Sequence, residues 1–416
     1  MLTQVLDGPV VARHPDNRTV QQPAALQSVQ RMERHHPREV SGDAEDDERV
    51  RGGRGARLAL GRAGPFARSY RRAHRQPSFG EACGLSGGGP STASPGSGDS
   101  TIAAGPYAAR VDMTAREFRD LFDAVSNWGR WSEGGARGAL NHLTPDRITA
   151  AAGLVHSGTT ITLSLPLQTE ARLDVPEPAD HHMTLMPEVD IGSGSLGFAK
   201  DYVGIDYHND GHSHIDAFCH VAFDGSFFDG APERSVTEAG GQVGTIEILR
   251  SGLVGRGVLL DIPRVRDASW VEPGEHIFRE DLEAAERAQG VEVRPGDILL
   301  VRTGHTRRLV ELGPWDTQQA KAGLHPSVAT FLADRSIASL GSDGNSDTAP
   351  STTEGVAFPI HVLALNAMGV HLLDYLQLED VAQHCQAVRR WEFLFAAAPL
   401  RIVGGTGSPI NPTAVF

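Results

Sequence analysis

From Thr114 onward the chain alternates stretches of helical spacing with stretches of strand spacing. Thr144-Pro145 sets a capping hydroxyl before a proline at the first helical position, and Ile148 to Val155 continue with helical spacing. Thr159–Leu165 alternates and is β-branched, which predicts a strand. Val258–Ile262 and Ile298–Arg302 are short apolar runs bounded by Gly, Pro or Asp, as buried strands are. Phe278–Gln289 is a charged amphipathic helix ended by Gly290, and His325-Pro326 opens another helix through Asp334. Ile337–Gly341 reads as the strand that follows, Leu378–Arg390 as a late helix and Leu400–Val403 as a final strand. The pattern predicts a mixed α/β fold with a substantial sheet. Strand order does not follow from it.

The first 112 residues are of another kind. They hold 15 Arg and no Lys, the Arg/Gly-rich stretch Arg51–Arg62 and the Gly/Ser/Pro run Gly87–Ser100. Such composition buries too little apolar surface to offset chain entropy, so disorder is the expectation for 1–112 and a single folded domain for 113–416. A basic arm for nucleic acid fits less well, because the acidic block Asp43 to Glu48 interrupts it.

Charge narrows the class of protein. The whole chain carries a net charge of −14, which disfavours non-specific nucleic-acid binding and docking on an anionic membrane. Cys83, Cys219 and Cys385 are far apart, with no CxxC spacing and no disulfide framework. No secretory signal opens the sequence and no apolar run approaches a membrane span, so a cytoplasmic protein is expected.

The chemistry concentrates in His208-Asn-Asp-Gly-His-Ser-His-Ile-Asp-Ala-Phe-Cys-His220. His208, Asp210, His212, His214 and Asp216 share one parity, and residues two apart project from one face of an extended strand. His212, His214 and Asp216 would thus offer two imidazoles and a carboxylate to one point, a set suited to Zn²⁺ or Mn²⁺ with room for water. Gly211 permits a bend that would bring His208 or Asp210 round to complete the set. His220, four residues beyond Asp216, is placed to act as a proton shuttle with an imidazole pKa near 6.5.

The run ending Ser213-His-Ile-Asp-Ala217 and His220 resembles the signature of the cyclase-like, kynurenine-formamidase and isatin-hydrolase superfamily. Asn127–Trp131 with Leu140–Pro145, Gly296–Gly304, Leu340–Asp343, His361 with Asp374, and Gly404–Pro409 resemble further pieces in order, so the likeness covers about residues 115–416. The resemblance implies a swivelling β/β/α fold with a mixed sheet or barrel-like core flanked by helices. It also implies a zinc or manganese site and hydrolysis of amide bonds in small aromatic molecules, with a homo-oligomer possible. N-formylkynurenine, cleaved to kynurenine and formate in tryptophan catabolism, is the first candidate substrate. Alternatives are metal-dependent ring closure or dehydration, or metal binding without turnover. By the same resemblance His214 and Asp216 match metal ligands, His220 the proton-transfer histidine, and His361 and Asp374 the ligands of a second metal position. Asp210 stands where the family has its first ligand, with His208 two residues earlier. Asp374 lies one residue beyond the family's usual Glu, and Phe218 replaces a proline.

Other signals point to ordinary structure. His181-His182 lies in a polar loop, Trp128 and Trp131 read as packing aromatics, and Cys219 as a packed neighbour of His220. Gly404–Gly407 lacks the Lys-Ser/Thr of a phosphate loop, and Asp343 sits at a strand end where it either faces a site or ties a turn. Met113 is the expected natural start of translation, and native peptides upstream of it in mass spectrometry would reject that. A protein beginning at Met113 is expected to stay soluble and folded. Loss of folded protein on that truncation would show that the leading segment packs against the rest.

Overall fold

Nine strands pair into one curled mixed sheet, a half-barrel flanked by helices. The computed structural model describes residues 111–416 apart from 132–134, 186–188 and 191–193, so nearly all of the leading 112-residue segment lies outside the described residues. In chain order the strands are β1 (Thr160–Thr162), β2 (His214–Asp216), β3 (Leu253–Asp261), β4 (Ile298–Arg302) and β5 (Ser339–Ser342). They continue with β6 (His371–Asp374), β7 (Glu392–Ala397), β8 (Gly407–Pro409) and β9 (Thr413–Val415). Across the sheet the order is β1-β9-β7-β3-β4-β5-β6-β2-β8. The middle, β3 to β6, is parallel, and both flanks are antiparallel.

The apolar runs lie in this parallel middle because both faces are covered. Along β4, Leu299 and Val301 join one core cluster, while Ile298 and Leu300 join another. That is the two-residue period of a strand dividing its side chains between two layers. The first core also takes Phe118 and Phe122 from helix α1 (Ala115–Val125), and the second meets α2 (Pro145–Ala152) through Ile148. Thr144 caps α2 as the sequence predicts, by accepting from the Arg147 amide. Helix α3 (Arg279–Gln289) stops at Gly290, whose φ of 64° is left-handed and closes the helix at little cost.

Helix α4 (His305–Leu312) follows β4, and α5 (Ala329–Arg335) follows a short 3₁₀ turn opened by His325-Pro326. A turn of α-helix, Pro359–His361, runs into a fully buried π-helical segment, Val362–Met368. Helix α6 (Glu379–Val388) precedes β7.

Leu400–Val403 is not a strand. Its Leu400 and Val403 are 58% and 81% exposed and the segment forms a turn, so the apolar residues there have no sheet to join. The closing strands are β8 and β9, with β7 before them. No helix among the described residues is long and apolar enough to cross a membrane.

Candidate metal centre

Strand β2 is held between β6 and β8, with His214 opposite Asp374 and Asp216 opposite Gly407. His214 and Asp216 therefore share a face, while Ile215 between them enters the core. The Asp216 carboxylate is fully buried. Its Oδ1 lies 2.9 Å from His208 Nδ1 and 3.6 Å from His214 Nε2. Its Oδ2 lies 3.4 Å from His361 Nε2, which is itself 3.2 Å from Asp374 Oδ2.

These atoms are close without satisfying one another. His208 Nδ1, both Asp216 oxygens and Asp374 Oδ2 are buried and make no hydrogen bond of acceptable geometry. Buried polar atoms nearly always find partners, so a converging set that lacks them fits a divalent cation. Two trios have ligand atoms within 4.8 Å of one another, His208/Asp216/His220 and His214/Asp216/Asp374. Asp216 belongs to both.

The far nitrogens of the imidazoles are tied back. His214 Nδ1 lies 2.7 Å from the His212 carbonyl, and His208 Nε2 lies 2.9 Å from Thr406 Oγ1. His361 Nδ1 lies 2.6 Å from Asp347 Oδ2. Such outer bonds fix the ring orientation and aim the other nitrogen at the centre. Asp347 also accepts from the amides of Ile360 and His361, so one carboxylate caps the helical turn and aims its histidine. Ser346 Oγ donates to Asp374 Oδ1 at 3.2 Å.

His208 reaches the centre because Gly407 leaves space for it. A Cβ on Gly407 would come within 2.8 Å of the His208 ring and 2.5 Å of the Ile215 carbonyl. Gly211 acts in the same way, since a Cβ there would strike Val175 at 2.4 Å.

Neither other candidate for completing the set joins it. Asp210 turns instead to the Lys321 ammonium, 3.2 Å from each carboxylate oxygen, and to Thr317 Oγ1 at 2.7 Å. Burial pushes its carboxyl up, but Lys321 and the hydrogen bonds from Tyr375 and Thr317 outweigh that and lower it. The parity argument placed His212 beside His214 and Asp216. It is buried and neither ring nitrogen has a hydrogen-bond partner, yet it belongs to neither trio. Its segment is a bend before β2, so strand alternation does not extend to it.

The imidazole of His220 stacks on that of His208, 3.8 Å between centroids with planes 3° apart. Burial, together with His208, His361 and His214, lowers the His220 pKa to about 3 against the opposing pull of Asp216. The expected value near 6.5 therefore does not describe this position. At His361 burial opposes the charged form, but the facing carboxylates of Asp216, Asp347 and Asp374 raise its pKa well above the histidine range. A nitrogen so placed is one for which a proton and a metal ion compete. Burial also pushes the Asp216 carboxyl up, and His220, His208, His214 and His361 together hold it well below the usual range.

Several of these residues gave little sign in the sequence. Asp347 and Ser346 lie in the polar run Ser342–Asp347 after β5, where density of polar residues was the only cue. Lys321 is one of two lysines in a chain that otherwise uses arginine. Tyr375 follows Asp374 with φ of 53°, and its carbonyl accepts from Ser213 Oγ at 2.6 Å. His371 Nδ1 lies 2.7 Å from the Asp216 carbonyl, and its ring stacks on Phe218, the residue in place of the family's proline.

The lesser signals resolve as structure. Asp343 ties a turn, accepting from the amides of Thr303, Gly304 and His305. His181 and His182 sit on an exposed hairpin, Asp180–Leu185 with Ala199–Gly204, beside Asp201 and Asp180. Trp128 donates to the Asn366 carbonyl, and Trp131 packs edge-on to His142. Burial pushes the Cys219 thiol up to about 11, which leaves it no thiolate.

A cavity of about 280 Å³ opens onto the centre, with Asn345, Phe358, Val221 and Tyr375 among its walls. A wider cleft of about 740 Å³ lies elsewhere, by the ends of β3 and β4. Its buried Arg302 is already paired with Asp261 and Glu379, so it offers no free ligand group. The fold and site thus define an α/β protein with a buried His/Asp centre suited to a divalent cation beside a small-molecule cavity.

The family described as Cyclase ("Putative cyclase") matches residues 161–347. A crystal structure described as a novel cyclase is 32% identical with a TM-score of 0.63, covering 71% of this chain and 99% of that one. The chain belongs to this cyclase family. Isatin hydrolase A from Ralstonia solanacearum is 21% identical over 64% of this chain and 94% of its own, with a TM-score of 0.41. A predicted metal-dependent hydrolase from Bacillus stearothermophilus is 19% identical over 62% and 97%, with a TM-score of 0.39. No curated protein matches.

Asp347→Asn is expected to weaken metal affinity by about 10–100-fold, because the group that orients His361 is lost while the volume stays. Competition with a chelator measures this, and an unchanged affinity would show that Asp347 does not orient His361.

Proposed function

We propose that the protein is a metal-dependent hydrolase cleaving amide or formamide bonds in small aromatic molecules, with N-formylkynurenine the first substrate to test. The observation that carries this reading is Asp216: a carboxylate sealed from water, without hydrogen-bond donors and ringed by imidazoles that themselves line a cavity of about 280 Å³. That volume is near the lower end for small-molecule sites and suits a compact substrate. Phe358 and Tyr375 offer aromatic surface at its wall.

His214, Asp216 and Asp374, with His361 and His208 beside them, are the residues that would hold the ion, and their nitrogen and oxygen donors suit zinc or manganese. When bound, the cation supplies Lewis acidity toward a carbonyl oxygen and toward water. In the overall reaction water adds across the C–N bond, the carbon gains oxygen and the nitrogen gains a proton. His220, which lines the cavity and stacks on His208, is the residue placed to take the proton from water and return it to the departing nitrogen. Burial of Asp216 and Asp374 keeps water from competing for the ligand atoms.

A second reading is ring closure or dehydration at the same centre, favoured by the description of the family as cyclases. Formate release from N-formylkynurenine supports the first reading, whereas a substrate screen that yields only cyclic products supports the second.

The two histidines at the ends of the ligand stretch separate the roles. His220→Ala is expected to retain metal and lose about 10²–10⁴-fold in rate, the usual worth of general acid–base catalysis. His214→Ala is expected to lose metal and rate together. Equal metal loss in both, read by elemental analysis of the purified variants, would make His220 a ligand and require another base.

A further inference from the structure

The run Ser342-Asp-Gly-Asn-Ser-Asp347 leaves β5 and passes the metal centre, and nearly every polar group in it is committed. Ser342 Oγ accepts from the Gly344 amide, and the Gly344 carbonyl accepts from the Tyr375 amide at 2.8 Å. Asp343 holds the turn after β4, Ser346 donates to Asp374, and Asp347 aims His361.

Asn345 stands apart. It is 7% exposed, and its Oδ1 accepts at 3.2 Å from the Asp347 amide, which also donates to the Asn345 carbonyl at 2.8 Å. The opposite end, Nδ2, carries two donors and has no hydrogen-bond partner among the described residues. The residue lines the same cavity as His214, His361 and Asp374. The NH₂ is not sealed in the core, so an acceptor on a molecule bound in the cavity can reach it. Lining that cavity beside the candidate ligands, it is placed to donate to a substrate.

We propose that Asn345 is a catalytic residue whose Nδ2 donates to the carbonyl oxygen of the substrate. As water adds, the carbonyl carbon becomes tetrahedral and its oxygen gains negative charge. A donor held at that place stabilises the charge more than it stabilises the neutral carbonyl. Asn345 itself gains and loses no proton. This assignment rests on the hydrolase reading above.

Two substitutions test it. Asn345→Asp keeps the acceptor for the Asp347 amide and removes the donors, whereas Asn345→Ala removes both. With N-formylkynurenine, or the best substrate of a formamide, lactam and ester panel, both variants should lose about 10²–10³-fold in kcat. Metal content and melting temperature should stay at wild-type values. Wild-type kcat in Asn345→Asp would overturn the assignment, as would a loss confined to Asn345→Ala that tracks a lower melting temperature. A wild-type protein inactive on the whole panel would instead sink the hydrolase reading and this assignment with it.

Discussion

The site is organised around a buried carboxylate that no hydrogen bond satisfies. Taking a carboxylate out of water costs several kcal/mol after relaxation, about what only a well-placed counter-charge recovers. Asp216 has no arginine or lysine against it. It has ring nitrogens from His208, His214 and His361, with a second carboxylate, Asp374, facing the same imidazole. Two acids converging with several imidazoles make a ligand set suited to a divalent cation. The nearby lysine is engaged elsewhere: Lys321 neutralises Asp210, which removes that acid from the ligand set.

Sheet topology brings the pieces together. Strands β5 and β6 are parallel, so Ser342 and Asp374 end at the same edge. Strand β2 runs antiparallel to β6, which sets its first residue, His214, beside Asp374. Crevices outside the carboxyl ends of parallel strands are where open α/β sheets bind ligands, and the loop Ser342–Asp347 occupies that position. One short loop therefore steadies Asp374 through Ser346, orients His361 through Asp347 and presents Asn345 to the cavity. The left-handed backbone at Ser346 and Tyr375 lies in the same small region. Non-glycine residues hold that conformation only where their surroundings impose it, and here they flank the candidate ligands.

Much of this was legible in the amino-acid sequence, and the reasons are local. Ile298–Arg302 reads as a buried strand because every residue in it is covered, and Thr144-Pro145 marks a helix start through its own cap. His214 and Asp216 are readable because two-residue alternation needs nothing beyond the strand. His212 fails because alternation stops at the bend before β2, and Leu400–Val403 fails because apolar residues alone do not supply a pairing partner. Whether His208 or Asp210 enters the centre depends on Gly407 and Lys321, residues far away in sequence. Asp347 and Asn345 lie beyond local reasoning altogether, since their roles exist only once β5 ends beside β6.

The central claim is that the atoms around Asp216 bind a divalent cation. Elemental mass spectrometry of the purified protein, with Asp216→Ala prepared in parallel, addresses it directly. The account predicts at least about one zinc or manganese ion per wild-type chain and a metal-poor, folded variant. A wild-type protein that stays metal-free after incubation with either ion, or an Asp216→Ala variant with full occupancy, would contradict it.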